Sequence, residues 1–137
     1  MMARRIFISL ILSLIASIAF PEFISAKSGP AITLREKSYD FGIVAENGGP
    51  ISHEFEFKNT GTEPLIIVSA TASCGCTRPT YPTAPIKPGE TGKIKVTYLP
   101  AGRPGEFNKA VKIRTNAKST KKFSLKISGT VKPDIKK

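Results

Sequence analysis

The side chains best suited to chemistry are two cysteines, Cys74 and Cys76, which flank Gly75 in the stretch TASCGCTRPTYP and are the only cysteines in the chain. Residues i and i+2 of an extended strand point to the same face with Cα atoms about 6.5 Å apart, near the upper limit for a disulfide. A bend at Gly75 would bring the sulfurs together, because glycine reaches backbone angles that other residues avoid. A bond between the two cysteines is therefore expected to be possible but strained.

Three uses of this cysteine pair remain open. The first is a local staple that fixes the chain where it leaves an apolar run for a Pro-rich loop. The second is thiol–disulfide exchange, because a strained, exposed disulfide is easily reduced and the nearby Arg78 favours a thiolate. The third is copper(I) held by two thiolates. A structural zinc site needs four ligands, and His53 is the only other nitrogen or sulfur donor of that kind.

No familiar catalytic set can be assembled from the remaining residues. His53 stands on the inward side of an alternating strand, which predicts a packed residue rather than a ligand. Asp40 and Asp134 are the only aspartates, so no Ser–His–Asp set can be assembled, and the glycines do not form a phosphate-binding loop. The sequence therefore predicts a protein that is not an enzyme, and it predicts no metal or cofactor site, with copper(I) at the cysteine pair kept as an alternative.

The first 26 residues have the pattern of a secretory signal peptide. Arg4 and Arg5 precede an apolar run, Ile6–Phe20, and a small-residue site follows at Ser25 and Ala26. The run is shorter than the roughly 20 residues of a membrane span. We expect cleavage after Ala26, a mature domain over 27–137 without a transmembrane segment, and a periplasmic or secreted location; an uncleaved anchor is the alternative. Export agrees with a disulfide, since exported proteins meet an oxidising environment.

Four segments after this leader alternate between apolar and polar residues, which is typical of half-buried β-strands. A continuous apolar run, PLIIVSAT, indicates a more buried strand, and AITLREKSYDFGIV supplies one or two more. Turn-forming residues separate the strands. This pattern predicts one all-β domain, an antiparallel β-sandwich of about seven strands. The alternating segments are ISHEFEFKN, GKIKVTYLP, KAVKIRT and KKFSLKISGTV; the turns are Asn59–Pro64, Lys87–Gly92, Ala101–Glu106 and Thr115–Thr120.

Several of these segments resemble one bacterial family. YDFG, FEFKNTGTEPLII, SCGCTRPTYPTAPIKPGETGKIKVTY and GEFNKAVKIRTNA are similar to domain-of-unknown-function family 1573, and the likeness runs from about Tyr39 to Val131. That family is related to immunoglobulin-like domains of the abnormal-spindle and hydin type, and more distantly to the major sperm protein sandwich. The resemblance implies an exported, seven-stranded sandwich without a settled activity. Many relatives carry the domain in tandem or beside others, whereas this sequence has one copy.

The chain is strongly basic, with a formal net charge of +11, and residues 27–137 keep 19 basic and 9 acidic side chains. Six basic residues occupy outward positions of the last three strands, and these strands would collect them into one basic face if they were neighbours in a sheet. Such a face either keeps the sheet soluble or binds an acidic surface such as lipopolysaccharide, anionic lipid or a polyanion. The residues are Lys93, Lys95, Lys112, Arg114, Lys122 and Lys126.

These observations favour an exported, non-catalytic binding or scaffolding module of the bacterial cell envelope. Its expected partner is another envelope protein or an acidic surface, reached through exposed edge strands or the Pro-rich loop over 78–88. Nucleic acid is not expected, because few aromatic residues stand beside the outward lysines. The alternatives are a periplasmic thiol-redox or copper(I)-handling protein that uses Cys74 and Cys76, and an electrostatic binder of envelope polyanions.

Overall fold

The computed structural model describes residues 28–135, which form two four-stranded β-sheets and no helix. Sheet A has the strand order β1-β3-β6-β5, and sheet B has the order β2-β8-β7-β4. The expected all-β, two-layer architecture is confirmed. The strands are β1 (Ile32–Leu34), β2 (Ser38–Ala45), β3 (Ile51–Asn59), β4 (Ile67–Ala72), β5 (Thr77–Thr80), β6 (Thr91–Tyr98), β7 (Gly105–Thr115) and β8 (Lys122–Lys132).

The core lies between the inner faces of the two sheets, where the alternating sequence places its apolar side chains. Phe55 and Ile94 are direct neighbours across β3 and β6, and Val111 and Leu125 are neighbours across β7 and β8. All four residues are at most 1% exposed. Complete burial of such a side chain stabilises the fold by about 1.5–3 kcal/mol, so the inward rows of these four strands hold the sheets together.

The number and direction of the strands differ from the expectation in two respects. The described part of the chain has eight strands, because the Pro-rich segment predicted as a loop contains the short strand β5. Pro79 is tolerated there because β5 lies at a sheet edge, where a missing backbone N–H breaks no ladder. In addition, β2 pairs parallel with β8, whereas the other strand pairs are antiparallel.

The apolar run over 64–71 contributes a strand, as expected, but the prediction that this strand is more buried than the others is wrong. Its strand, β4, is an edge strand of sheet B. Leu65 and Ile67 are buried, but Ile66 and Val68 are 39% and 51% exposed. A register shift between Ile67 and Ser69 leaves Val68 without a residue directly opposite it on β7.

The expected signal peptide, residues 1–26, lies outside the described residues. The predicted domain boundary after Ala26 therefore stays a prediction. From residue 28 to residue 135, no helix has the length and apolar character needed to cross a membrane.

Candidate functional site

Cys74 and Cys76 form a disulfide in the turn that carries the chain from β4 in sheet B to β5 in sheet A. Their Cα atoms are 5.3 Å apart. Cys76 is only 1% exposed and belongs to the core, whereas Cys74 is half-buried. The backbone N–H of Leu99 donates to the carbonyl of Cys76 at 2.9 Å, and that of Thr77 donates to the carbonyl of Cys74 at 3.2 Å. The turn therefore anchors one sulfur in the core at one side of the sandwich.

Gly75 does not have the role that the sequence suggested. The turn forms without a positive φ at this residue, and a Cβ atom added there would meet nothing within 4 Å. The expectation that the bend depends on backbone angles special to glycine is therefore wrong. The turn is closed by hydrogen bonds of ordinary geometry, including one from the N–H of Cys76 to Sγ of Cys74 at 3.1 Å.

The surroundings of the disulfide offer few groups for metal or acid–base chemistry. No cluster of three or more potential metal ligands exists among residues 28–135. His53 lies on β3, separated from β5 by β6. Arg78 is exposed on β5. In the disulfide state neither sulfur is a thiolate, so copper(I) could bind only after reduction.

His53 closes the opposite side of the sandwich, between β3 of sheet A and β2 of sheet B. Its ring stacks on Tyr39 with centroids 3.6 Å apart and planes 7° apart, and it meets the ring of Phe55 edge-on at 4.8 Å. Its Nε2 atom lies 2.5 Å from Oε1 of Glu36. These contacts occupy the ring on both a face and an edge, so His53 is a packed residue, as its inward position predicted.

The six outward basic residues do not form one face. Lys93 and Lys95 lie on β6 in sheet A, whereas Lys112, Arg114, Lys122 and Lys126 lie on β7 and β8 in sheet B. The prediction of a single basic face is wrong because consecutive strands β6 and β7 cross from one sheet to the other. The four residues of sheet B that remain together are called here the sheet B cluster.

The two outer faces differ in how their charges are arranged. On sheet A, Glu54 lies opposite Lys95 and Glu56 lies opposite Lys93, and Lys93 Nζ is 3.3 Å from Glu54. On sheet B, Arg114 lies directly opposite Lys122. No member of the sheet B cluster has an ion pair within the described residues. The lysines of sheet A therefore have carboxylates opposite them, and the sheet B cluster has none; the acidic residues of this face, Asp40 and Glu106, line a separate hollow at its other end.

The four edge strands also differ in their ability to pair with another chain. β1 has three residues, and β5 has four with Pro79 among them. β2 is interrupted by a register shift between Asp40 and Ile43, where Asp40 Oδ1 accepts the N–H of Gly42 at 2.8 Å. β4 has its own shift at Val68 but continues with four paired residues to Ala72, and no charged residue occurs over 65–77.

Asn59 is a key residue whose structural role sequence reasoning missed. It is fully buried, and its Nδ2 atom donates to the carbonyls of Glu63 and Ile86, each at 2.8 Å. Its Oδ1 atom accepts the N–H of Gly61 at 2.9 Å, and its carbonyl accepts the N–H of Gly89 at 2.8 Å. The NTG and KPG segments therefore meet at Asn59. Both belong to the segments that resemble the family, and their role in this structure is to hold the fold together.

Comparison with known proteins gives the following similarities. A family described as "Protein of unknown function (DUF1573)" matches residues 32–131. A protein of unknown function from Porphyromonas gingivalis W83 is similar over 82% of this chain and 51% of its own, with 19% identity and a TM-score of 0.66. The chain thus spans about half the length of that protein. None of the curated proteins compared with this sequence matches it.

Two further solved structures share the fold. The ASH/PapD-like domain 7 of human CEP192 has 16% identity and a TM-score of 0.58, over 87% of this chain and 96% of its own. The VesB protease of Vibrio cholerae has 14% identity and the same TM-score, but this chain covers only 31% of it. At these identities the likeness is one of fold alone.

Proposed function

The chain belongs to the DUF1573 family of proteins of unknown function, and we propose that it is a non-catalytic, immunoglobulin-like binding module of the bacterial cell envelope. Its partner is an extended segment of another protein, which pairs with the β4 edge. The observation that carries this proposal is the contrast among the four edges. β4 alone combines an uncharged sequence, four consecutive paired residues and exposed aliphatic side chains.

An exposed apolar edge is a pairing surface by its chemistry. Its unpaired backbone N–H and C=O groups bind a second strand, and side chains along the edge select which strand fits. Natural proteins usually protect such edges with lysine, proline or short strands. The described chain uses shortness at β1, proline at β5 and a register shift at β2. β4 has a register shift too, but four paired, uncharged residues follow it, and Ile66 and Val68 are exposed beside them.

The non-catalytic part of the proposal is supported by the surroundings of the titratable residues. His53 is packed between aromatic rings, and the cysteines are joined in a disulfide. The envelope location is supported by the basic and apolar leader over 1–26 and by the disulfide, which persists in oxidising compartments. Intact mass of the protein from the periplasmic fraction tests the location: a mature chain beginning at Lys27 supports it, and an uncleaved cytoplasmic chain contradicts it.

The β4 proposal is tested with peptides selected from a displayed random library on the purified protein. Val68→Lys introduces a charge at the edge and is expected to weaken peptide binding about tenfold or more, a loss of about 1.4 kcal/mol. Ile43→Lys is the matched control, because Ile43 is an exposed aliphatic residue on the other edge of sheet B. Peptide binding should also slow amide exchange in β4. Equal weakening by both variants, or protection confined to β2, would contradict the assignment to β4.

A further inference from the structure

We propose that the outer face of sheet B docks on the phosphate headgroups of an anionic lipid bilayer. β4, β7 and β8 form an open concavity of about 530 Å³ on this face. Three cationic side chains of the sheet B cluster and three hydroxyl groups line it, and no carboxylate is among the lining residues. These six residues are Ser69, Thr71, Lys112, Arg114, Lys122 and Ser124.

The charges in this concavity are crowded by the register of the strands. Arg114 lies opposite Lys122, and Lys112, two residues away on β7, lies on the same face. Like charges directly opposite each other in a sheet destabilise it. Because no described carboxylate pairs with them, an external anion relieves this repulsion. On sheet A the cross-strand partners Glu54 and Glu56 already provide that relief.

The shape of the cluster favours a surface with repeated phosphates. Lys112, Arg114 and Lys122 are exposed, so the charges are spread over a broad sheet face and do not converge on a buried point. Lys126 extends the cluster along β8 toward the first residue of β2, Ser38, which lies beside it. A planar bilayer with anionic headgroups presents charge over the same kind of area, and each Lys or Arg near such a surface strengthens binding about fivefold.

This docking goes beyond the peptide-binding function proposed above and does not depend on it. It uses the face of sheet B, whereas the proposed peptide uses its β4 edge. The sheet B cluster has no carboxylate opposite it, unlike the lysines of sheet A, and this difference gives the molecule a preferred orientation with sheet B toward the lipid. The two proposals therefore fail separately: a face variant that no longer binds vesicles should still bind a β4-selected peptide.

Vesicle co-sedimentation tests the proposal with the purified protein. Wild type is expected to bind phosphatidylcholine vesicles that contain phosphatidylglycerol, and not vesicles of phosphatidylcholine alone. The double variant Arg114→Gln/Lys122→Gln is expected to bind about 25-fold more weakly. Lys93→Gln/Lys95→Gln removes the same net charge from sheet A and should stay within about twofold of wild type. Added salt should weaken wild-type binding, because these charges are exposed.

Three outcomes would overturn the proposal. Equal losses in the two double variants would assign binding to net charge rather than to sheet B. Wild-type binding that salt leaves unchanged would rule out an electrostatic contact. Binding of sodium polyphosphate that needs Arg114 and Lys122, without vesicle binding, would assign the face to a soluble polyanion. If Arg114→Gln/Lys122→Gln fails to fold, Lys112→Gln/Lys126→Gln tests the same face and carries the same expectation.

Discussion

The disulfide between Cys74 and Cys76 closes a very small loop, with a sequence separation of two residues. Loop-closure entropy for so short a loop gives a stabilisation of only about 1.5 kcal/mol. Reduction is therefore expected to lower the free energy of unfolding by about this amount and to leave the domain folded. Urea unfolding with and without a dithiol reductant measures the change.

Substitutions of both cysteines distinguish the stability contributed by the disulfide bond from that contributed by the packing of the sulfur atoms. Cys74→Ser/Cys76→Ser should behave like the reduced wild type, because a hydroxyl at the buried position 76 lies near Thr77 Oγ1, which is 3.7 Å from the Cys76 sulfur. Cys74→Ala/Cys76→Ala should be less stable, because it removes a buried atom and leaves a small cavity. Unfolding on reduction alone would contradict the staple interpretation. A redox potential close to that of the glutathione pool would instead favour thiol–disulfide exchange.

At the scale of the elements, the turn after β3 was predicted from the sequence, and in the structure the side chain of Asn59 holds it. Asn59→Ala leaves the carbonyls of Glu63 and Ile86 and the N–H of Gly61 without their partner. Buried groups deprived of hydrogen bonds are costly, so we expect a loss of about 4 kcal/mol in the free energy of unfolding. The exposed Asn47→Ala should change it by less than about 0.5 kcal/mol. Urea denaturation of both variants is the measurement, and similar losses would contradict the role of Asn59.

Alternation of apolar and polar residues was sufficient to predict the strands that contribute to both sides of the core. β3, β6, β7 and β8 each bury one face and expose the other, so the period of two is visible in their sequences. The edge strands were harder, because their pairing depends on partners far along the chain. The apolar sequence of β4 suggested a buried strand, but β4 is an exposed edge strand with a register shift. Pro79 made the segment that contains β5 read as a loop.

At the scale of the whole molecule, the sequence showed how many basic residues point outward but not which sheet holds them. Lys93 and Lys112 are separated by the connection from β6 to β7, which crosses between the sheets. The alternation of apolar and polar residues shows which side chains of a strand share a face, but it does not show which strands are neighbours in a sheet. The outward basic residues could therefore be identified from the sequence. The fold was needed to show that those on sheet A lie opposite glutamates and those on sheet B do not.

This division predicts opposite effects of the same substitution on the two sheets. Lys122→Glu places a carboxylate opposite Arg114, and such a cross-strand pair should raise the free energy of unfolding by about 0.5 kcal/mol. Lys95→Glu places a carboxylate opposite Glu54 and should lower it by a similar amount. Both changes should shrink at high salt. Thermal or urea unfolding at low and high ionic strength measures them.

The same substitution distinguishes a solvated face from a binding face. If the sheet B cluster only keeps the domain soluble, Lys122→Glu makes the protein more stable and leaves any vesicle binding as it was. If the cluster meets anionic lipid, the gain in stability is accompanied by a loss of vesicle binding, because the new carboxylate both removes one cation and neutralises Arg114. Stability and binding that change in opposite directions in one variant would show that the crowding of positive charge on sheet B serves a contact outside the fold.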